Sequence, residues 1–438
     1  MTMEADARTG NPVILLDVEG GLAQSQSPSR DLLIDQIFDD EDFKRGLRAD
    51  IAKSAIPFSG LSAFLQFCAT YLDRQGGGSG ADPVIEGQRA RLFDYAGRIN
   101  QMADRFNTET KPNPDAVFWP DPERGGKPLK DVIPVAKRYP FIDQGTKIGS
   151  AGSCFAIEIA KNLLDRGFNY LCLEKTYDPE TGTLVMDTSS DDPVIQYSCR
   201  WGIMFNTPSF TQIVENAFGV RPLPKLLLKL SDAPPDIYID PFREAVMFPS
   251  PEAYEIEREK HLENTRKVFL EADVFILTLG LNEAWRYMPD DVYISRNPRN
   301  KSMTGLIEHR TLTVEENIDY LQRFIDVVRA HNPNLKLILT VSPVPFLATG
   351  RADIHHVVTA NTHSKAVLRV AADIIVERNT DVFYFPSYEV VTVCSETIWT
   401  EDQRHIHSSA VAKVMETFDE MFLTRAAKTL VRLNTAGG

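Results

Sequence analysis

The sequence predicts an α/β protein in which a parallel sheet carries helices on both faces, with an α-helical extension ahead of it. Two observations predict this. From about residue 140 onward, short apolar runs such as Val274-Phe275-Ile276-Leu277 and Leu335 to Leu339 alternate with stretches at helical spacing. Apolar strands that alternate with helices belong to parallel sheets buried on both faces. Ahead of them, from Asp31 to Phe106, the periodicity is helical on both sides of a Gly/Ser break.

In chain order, residues 1–29 are polar and rich in Ser and Gly around one apolar burst, Pro12 to Leu16, and have little to bury. From Asp31 the pattern turns helical: Leu32, Leu33, Ile37 and Phe38 share a face, which Ile51, Ala55, Leu61, Phe64, Leu65 and Cys68 continue. The Gly/Ser run 75–80 is a flexible break, and Val84 to Phe106 reads as a further amphipathic helix with Leu92, Phe93, Ala96, Ile99 and Met102 inward. The stretch 106–134 is dense in Pro, Asn, Asp and Gly, which sets a boundary. Residues 1–135 are thus expected to form the helical extension and 136–430 the α/β domain. No chemical motif falls in the extension, and packing or partner contact is its expected use.

In the second part a strand enters the Gly152 turn and a helix follows over 156–166. Asn169 to Leu173 is a strand, Pro208 to Phe218 a helix, and the Pro-rich region from Gly219 to Pro251 irregular. Ala253 to Phe269 is a charged helix, followed by strand 273–279, a loop insertion from Tyr287 to Arg310, and helix 314–330. Strand 335–341, helix 361–377, strand 381–385 and helix 408–425 complete the domain.

Bulk properties exclude several classes. The chain has 438 residues, more than one average domain. Its net charge of −14 argues against a broad nucleic-acid surface. Five cysteines (68, 154, 172, 199, 394), an odd number without a CxxC pair, fit neither a disulfide scaffold nor a zinc site, and a reducing cytoplasm is the expected location. The spacing of His355, His356 and His363 fits no zinc motif. No apolar run approaches the length of a membrane span.

The chemistry gathers at the ends of the predicted strands, where such sheets hold their ligands. Gly152-Ser153-Cys154 turns from a strand into a helix, and free N–H groups at a helix start stabilise an oxyanion and lower a thiol pKa. Gly280-Leu281-Asn282-Glu283 follows another strand, and Asn282 can offer a side-chain amide. Near the C-terminus Asp402 and His405 stand three residues apart, close enough for one short loop to supply a base and the carboxylate that orients it. His407 is the competing base.

This order of nucleophile turn, Gly-x-Asn-Glu and Asp-x-x-His resembles that of the SGNH (GDSL-type) hydrolases. The run Gly152-Ser153-Cys154-Phe155-Ala156, with Leu279-Gly280-Leu281-Asn282-Glu283-Ala284-Trp285, Ser342-Pro343-Val344-Pro345 and Asn361-Thr362-His363-Ser364-Lys365, is similar to the GSCFA-domain family over about residues 140–420. The resemblance implies a three-layer, flavodoxin-like fold, and it favours His405 over His407. Glycine-to-glycine matching to Gly-Asp-Ser makes Cys154 the nucleophile, while a one-residue slide makes it Ser153. The first register keeps the turn glycine, yet both stay open. Gly202 is implied as a second oxyanion donor, although the family's usual following Asn is Ile203 here. Arg200, Glu283 and Trp285 are candidates for lining the substrate cleft, and Asn361, His363, Ser364 and Lys365 either line it or cap the helix they open.

The expected function is an esterase or O-acyltransferase acting on an ester, with a polysaccharide or its precursor as a substrate suggested by analogy alone. No metal or cofactor is called for, although acyl-CoA is an admissible donor. The rival reading is a non-catalytic glycan- or protein-binding module on the same fold.

Overall fold

The computed structural model describes residues 30–53, 61–75, 82–92, 94–95, 113, 116–185, 198–230, 236–243, 245–294 and 296–436. The expectations for Pro12 to Leu16, Ala55, the Gly/Ser break after Gln75, Phe93, and Ala96 to Met102 lie outside these residues. So do the side chains of Leu32, Leu61 and Cys154.

The chain forms two compact units, one of 1–117, 136–142 and 421–438, the other of 118–135 and 143–420. The first contains α1 (Arg30–Ile37), α2 (Glu41–Lys53), α3 (Leu61–Gln75) and α4 (83–92). Leu33, Ile37 and Phe38 of the predicted face are buried with Leu47, Phe64, Cys68 and Leu92 in a core of their own. Burial pushes the Cys68 thiol up to about 12.

In the second unit β1 (Ile148–Gly152) leads into α5 (Cys154–Asp165), and β2 (Leu184–Val185) precedes α6 (Thr207–Ala217). Short strands β3 (Leu228–Lys229), β4 (Tyr238–Ile239) and β5 (Val246–Phe248) lead to α7 (Pro251–Glu271) and β6 (Val274–Leu279). Next come β7 (Glu283–Tyr287), β8 (Val292–Ile294), β9 (Ile307–Thr311), α8 (Val314–His331) and β10 (Lys336–Val341). The remaining elements are α9 (Val357–Arg378), β11 (Val382–Phe385), α10 (Ser387–Thr392), α11 (Ser408–Phe422) and α12 (Arg425–Ala436), the last in the first unit.

The central sheet has the order β1-β6-β10-β11, parallel throughout. Tyr170 bridges to Ile148 in parallel on the outer side of β1. The predicted strand at 169–173 is thus only a bridge, because Leu173 turns away to bond Ser198. Counting that segment, the order becomes 2-1-3-4-5, the doubly wound, flavodoxin-like arrangement. Every residue of β6 is buried. Phe275, Leu277 and Leu279 share one core with Phe210 of α6, Phe269 of α7, Leu321 of α8 and Leu368 of α9. Phe385 meets Phe418 of α11 edge-on across the opposite face, and Arg166 after α5 bonds Asp419 of α11. Helices therefore cover both sides of the sheet.

Local chemistry explains the helix starts. Asn206 caps α6, Ser250 caps α7 ahead of Pro251, and Thr313 with Glu316 forms a capping box for α8. Three further expectations need correction. The insertion 287–310 and the region 219–251 are not plain loops: β7, β8 and β9 make one antiparallel sheet, and β2 with β3, β4 and β5 another. Their strands run only two to five residues and lack a clean alternation, so pattern alone does not reveal them. The helix expected over 408–425 breaks between α11 and α12, where Leu423 bridges to Ile142 instead.

Gly152 closes β1 with φ +154°, and a Cβ there would stand 2.6 Å from the Cβ and 2.8 Å from the carbonyl oxygen of Thr278. Gly152→Ala is expected to destabilise the fold by about 3 kcal/mol through this overpacking and strain, read from denaturant unfolding.

Candidate active site

The carboxyl ends of β1, β6 and β10 form the rim on which the motifs stand. Ser153 follows β1 as the N-cap residue of α5 but makes no side-chain cap bond. It is 4% exposed, and its hydroxyl donates to Ser342 Oγ at 3.1 Å. Ser342 follows β10, is buried, and its oxygen also accepts from the Val344 N–H at 3.3 Å. Cys154 is the first residue of α5. The other cysteines of this unit, Cys172, Cys199 and Cys394, are held as thiols by burial, which pushes each above its ordinary value.

The segment 202–206 lies along the same rim. Met204 N–H donates to Gly152, and the Phe205 carbonyl accepts from the N–H groups of Gly280 and Leu281. Gly280 permits this approach, since a Cβ there would lie 3.1 Å from the Phe205 oxygen. Gly202 has φ +71°, which by itself calls for glycine.

Asn282 is 1% exposed. Its backbone N–H donates to Ser364 Oγ at 2.8 Å and its Nδ2 to the Leu312 carbonyl at 3.0 Å, which leaves one Nδ2 proton. The Leu312 carbonyl also fixes the amide orientation, because a flipped amide would set two acceptors face to face. Oδ1 is buried without a partner among the described residues.

Asp402 and His405 are paired as the spacing predicts. His405 Nδ1 lies 2.5 Å from Asp402 Oδ2. Asp402 Oδ1 accepts from the N–H groups of His405 and Arg404 and from the Thr400 hydroxyl. The His405 N–H, then the Thr400 hydroxyl and the Arg404 N–H, hold the Asp402 carboxyl well below the usual carboxylate range. Gln403 makes the tight loop possible with φ +56°. The rival His407 has its Nδ1 on Ser409 Oγ at 2.7 Å, at the start of α11.

The substrate-cleft candidates have other engagements. Arg200 is buried in a charge network with Glu257, Asp178 and the Lys175 carbonyl. Glu283 accepts from Thr349, the Gly350 N–H and His309, and these bonds outweigh burial and keep its carboxyl below its ordinary value. It thereby fastens the 349–350 loop to β7. Trp285 lies edge-on to His309, with ring centroids 5.2 Å apart. Asn361 Oδ1 accepts from the Phe346 N–H, and exposed His363 lies 3.4 Å from an Arg351 nitrogen. His356 caps α9 through Nδ1.

Ser364 and Lys365 stand in the segment that the sequence offers as cleft lining or as a cap of α9. Both are buried at the start of the inward face of α9, ahead of Leu368, Ala371, Ala372 and Ile375. Positions 364 and 365 extend that apolar stripe by one helical turn. Lys365 Nζ donates to the Gly280 carbonyl at 2.8 Å and the Val344 carbonyl at 2.9 Å.

Elsewhere, Glu174, Glu257 and His261 offer metal-type ligand atoms within 4.8 Å of one another. Both Glu257 oxygens are already taken by Arg243, so a guanidinium fills the place a cation would take.

A family model described as the GSCFA family matches residues 147–418. The chain belongs to the GSCFA family. No curated protein matches the sequence. Among solved structures, a mutant acetyl esterase with acetate ion is 11% identical, with TM-score 0.30, over 67% of this chain and 100% of that one. A carbohydrate esterase family 3 from Talaromyces cellulolyticus is 11% identical, with TM-score 0.27, over 66% and 99%. The Clostridium thermocellum family 3 carbohydrate esterase is 12% identical, with TM-score 0.27, over 66% and 98%. Among the described residues, no helix of this GSCFA protein is long and apolar enough to cross a membrane.

Proposed function

We propose that this GSCFA protein is an esterase or O-acyltransferase working through a covalent acyl-enzyme. The observation that carries the reading is the Asp402–His405 pair. The carboxylate takes Nδ1 and the backbone of its own loop, which fixes the imidazole tautomer and leaves Nε2 to act as base. In the mechanism Cys154 gives its proton to His405 and its sulfur attacks the acyl carbonyl. The oxyanion takes hydrogen bonds from the remaining Asn282 Nδ2 proton, the Gly202 N–H and the N–H groups opening α5. Collapse expels the alcohol, which receives the proton from His405. Water or a carbohydrate hydroxyl, deprotonated by His405, then attacks the thioester, and the departing Cys154 sulfur takes that proton back from His405. A polysaccharide or its precursor is the acceptor or donor we favour, and acyl-CoA is an admissible donor substrate; no resident cofactor is required.

Two facts favour Cys154 over Ser153 as attacker. The Ser153 hydroxyl is buried and committed to Ser342. Cys154 opens a helix, where a thiolate is stabilised. Iodoacetamide is expected to label Cys154 in the native protein ahead of the buried Cys199. The labelling rate should fall about tenfold in His405→Ala. Mass mapping of the alkylated residue checks this. Labelling of Ser153 by a fluorophosphonate, with Cys154 untouched, would reverse the assignment. No covalent labelling by either reagent would favour the binding module.

A further inference from the structure

Lys365 is 1% exposed, and its amine bonds only two carbonyl oxygens among the described residues, those of Gly280 and Val344. Those carbonyls belong to the two loops that carry the site. Gly280 stands two residues before Asn282, whose own N–H is held by the adjacent Ser364. Val344 donates its N–H to Ser342 Oγ, the acceptor of the Ser153 hydroxyl. One side chain therefore closes a continuous path from Ser153 through Ser342, Val344 and Gly280 to Asn282.

We propose that Lys365 is a positioning residue of the acyl-transfer site, whose amine ties the loop after β6 to the loop after β10 and so holds the Asn282 amide and the Ser342 hydroxyl in register. The proposal rests on the acyl-enzyme reading above. A buried amine is a costly way to fill space that a methionine would fill more cheaply, so its retention in the core needs bonds that only a donor can make. Burial, with the nearby charge of Arg404 adding to it, pushes the amine down to about 7. Arg404, the neighbouring cation, sits on the loop of Asp402 and His405, and its Nε is buried without a partner among the described residues.

The test uses the full chain with p-nitrophenyl acetate. Lys365→Met is expected to lower kcat about 100-fold, the effect of losing one well-placed oxyanion donor, with KM changed by less than about threefold. Iodoacetamide labelling of Cys154 should persist, and Lys365→Gln, which keeps N–H donors, should recover about a tenth or more of the wild-type rate. A folded Lys365→Met with unchanged kcat overturns the proposal. So does a loss shared equally by kcat, KM and melting temperature with no recovery in Lys365→Gln, which would mark a merely structural lysine. Should Lys365→Met fail to fold, Ser364→Ala decides. It is expected to lower kcat about tenfold by freeing the Asn282 backbone, and an unchanged rate overturns the proposal. A wild type that neither turns over the ester nor labels at Cys154 or Ser153 overturns instead the reading on which this one rests.

Discussion

His405→Ala is expected to lower kcat for p-nitrophenyl acetate by about 10⁴-fold or more, and Asp402→Asn by about 10⁴-fold at neutral pH. The two losses have different physical origins. Removing the imidazole removes the proposed proton acceptor. Replacing the carboxylate leaves a side chain of the same shape but allows an amide N–H to face Nδ1, which favours the wrong tautomer. The loop itself should survive both changes in part, because Thr400 N–H also bonds the His405 carbonyl and Trp399 bridges to Ile406. Steady-state kinetics with a melting control on each variant separates the outcomes. Retention of full activity in His405→Ala, with loss in His407→Ala, would transfer the role of base to His407.

Glu257→Ala is expected to destabilise the protein by about 3–5 kcal/mol, the usual effect of stripping one partner from a buried ion pair. Glu257 lies on α7 with a fully buried side chain, bonded by Arg243 through two nitrogens and by Arg200 through another. Without it two guanidiniums stay buried with less than their full complement of negative charge. The same network sets acid sensitivity. Burial raises the Glu257 carboxyl, but the charge and bonds of Arg243 outweigh it and bring it down from 4.5 to about 2. A carboxyl depressed in the folded state contributes stability that is present above its unfolded value. That contribution is lost as pH falls through the folded one. The stability of the wild type should therefore drop between about pH 4.5 and 2, and this part of the slope should flatten in Glu257→Gln. Urea unfolding at a series of pH values reads both effects.

Much of the α/β core was legible because strands such as 274–279 are apolar but for Thr278 and alternate with long helices, so run length and order agree. The site's pairing of Asp402 with His405 was legible because it is local, three residues in one loop. What escaped was long-range. The bond from Ser153 to Ser342 spans 189 residues and that from Lys365 to Gly280 spans 85, and no local pattern encodes either. The short antiparallel strands escaped as well, since strands such as Tyr238–Ile239 are too short to show a period. Arg200 and Glu283 stood in conspicuous motifs, yet each is engaged within the fold by groups far away in sequence.

The parallel pairing of β1 with β6 has a kinetic consequence. Lys147, just before β1, bonds Asp273, just before β6, across 126 residues of chain. By contrast β6, β10 and β11 follow one another with a single main helix in each later crossover. Loop closure penalises the longer connection, so the later strands should assemble early and β1 should join an already formed platform. The turn bearing Ser153 and Cys154 would then arrive after the loops that follow β6 and β10 during refolding. Pulse-labelled hydrogen exchange should show amides of 274–341 protected before those of 148–156.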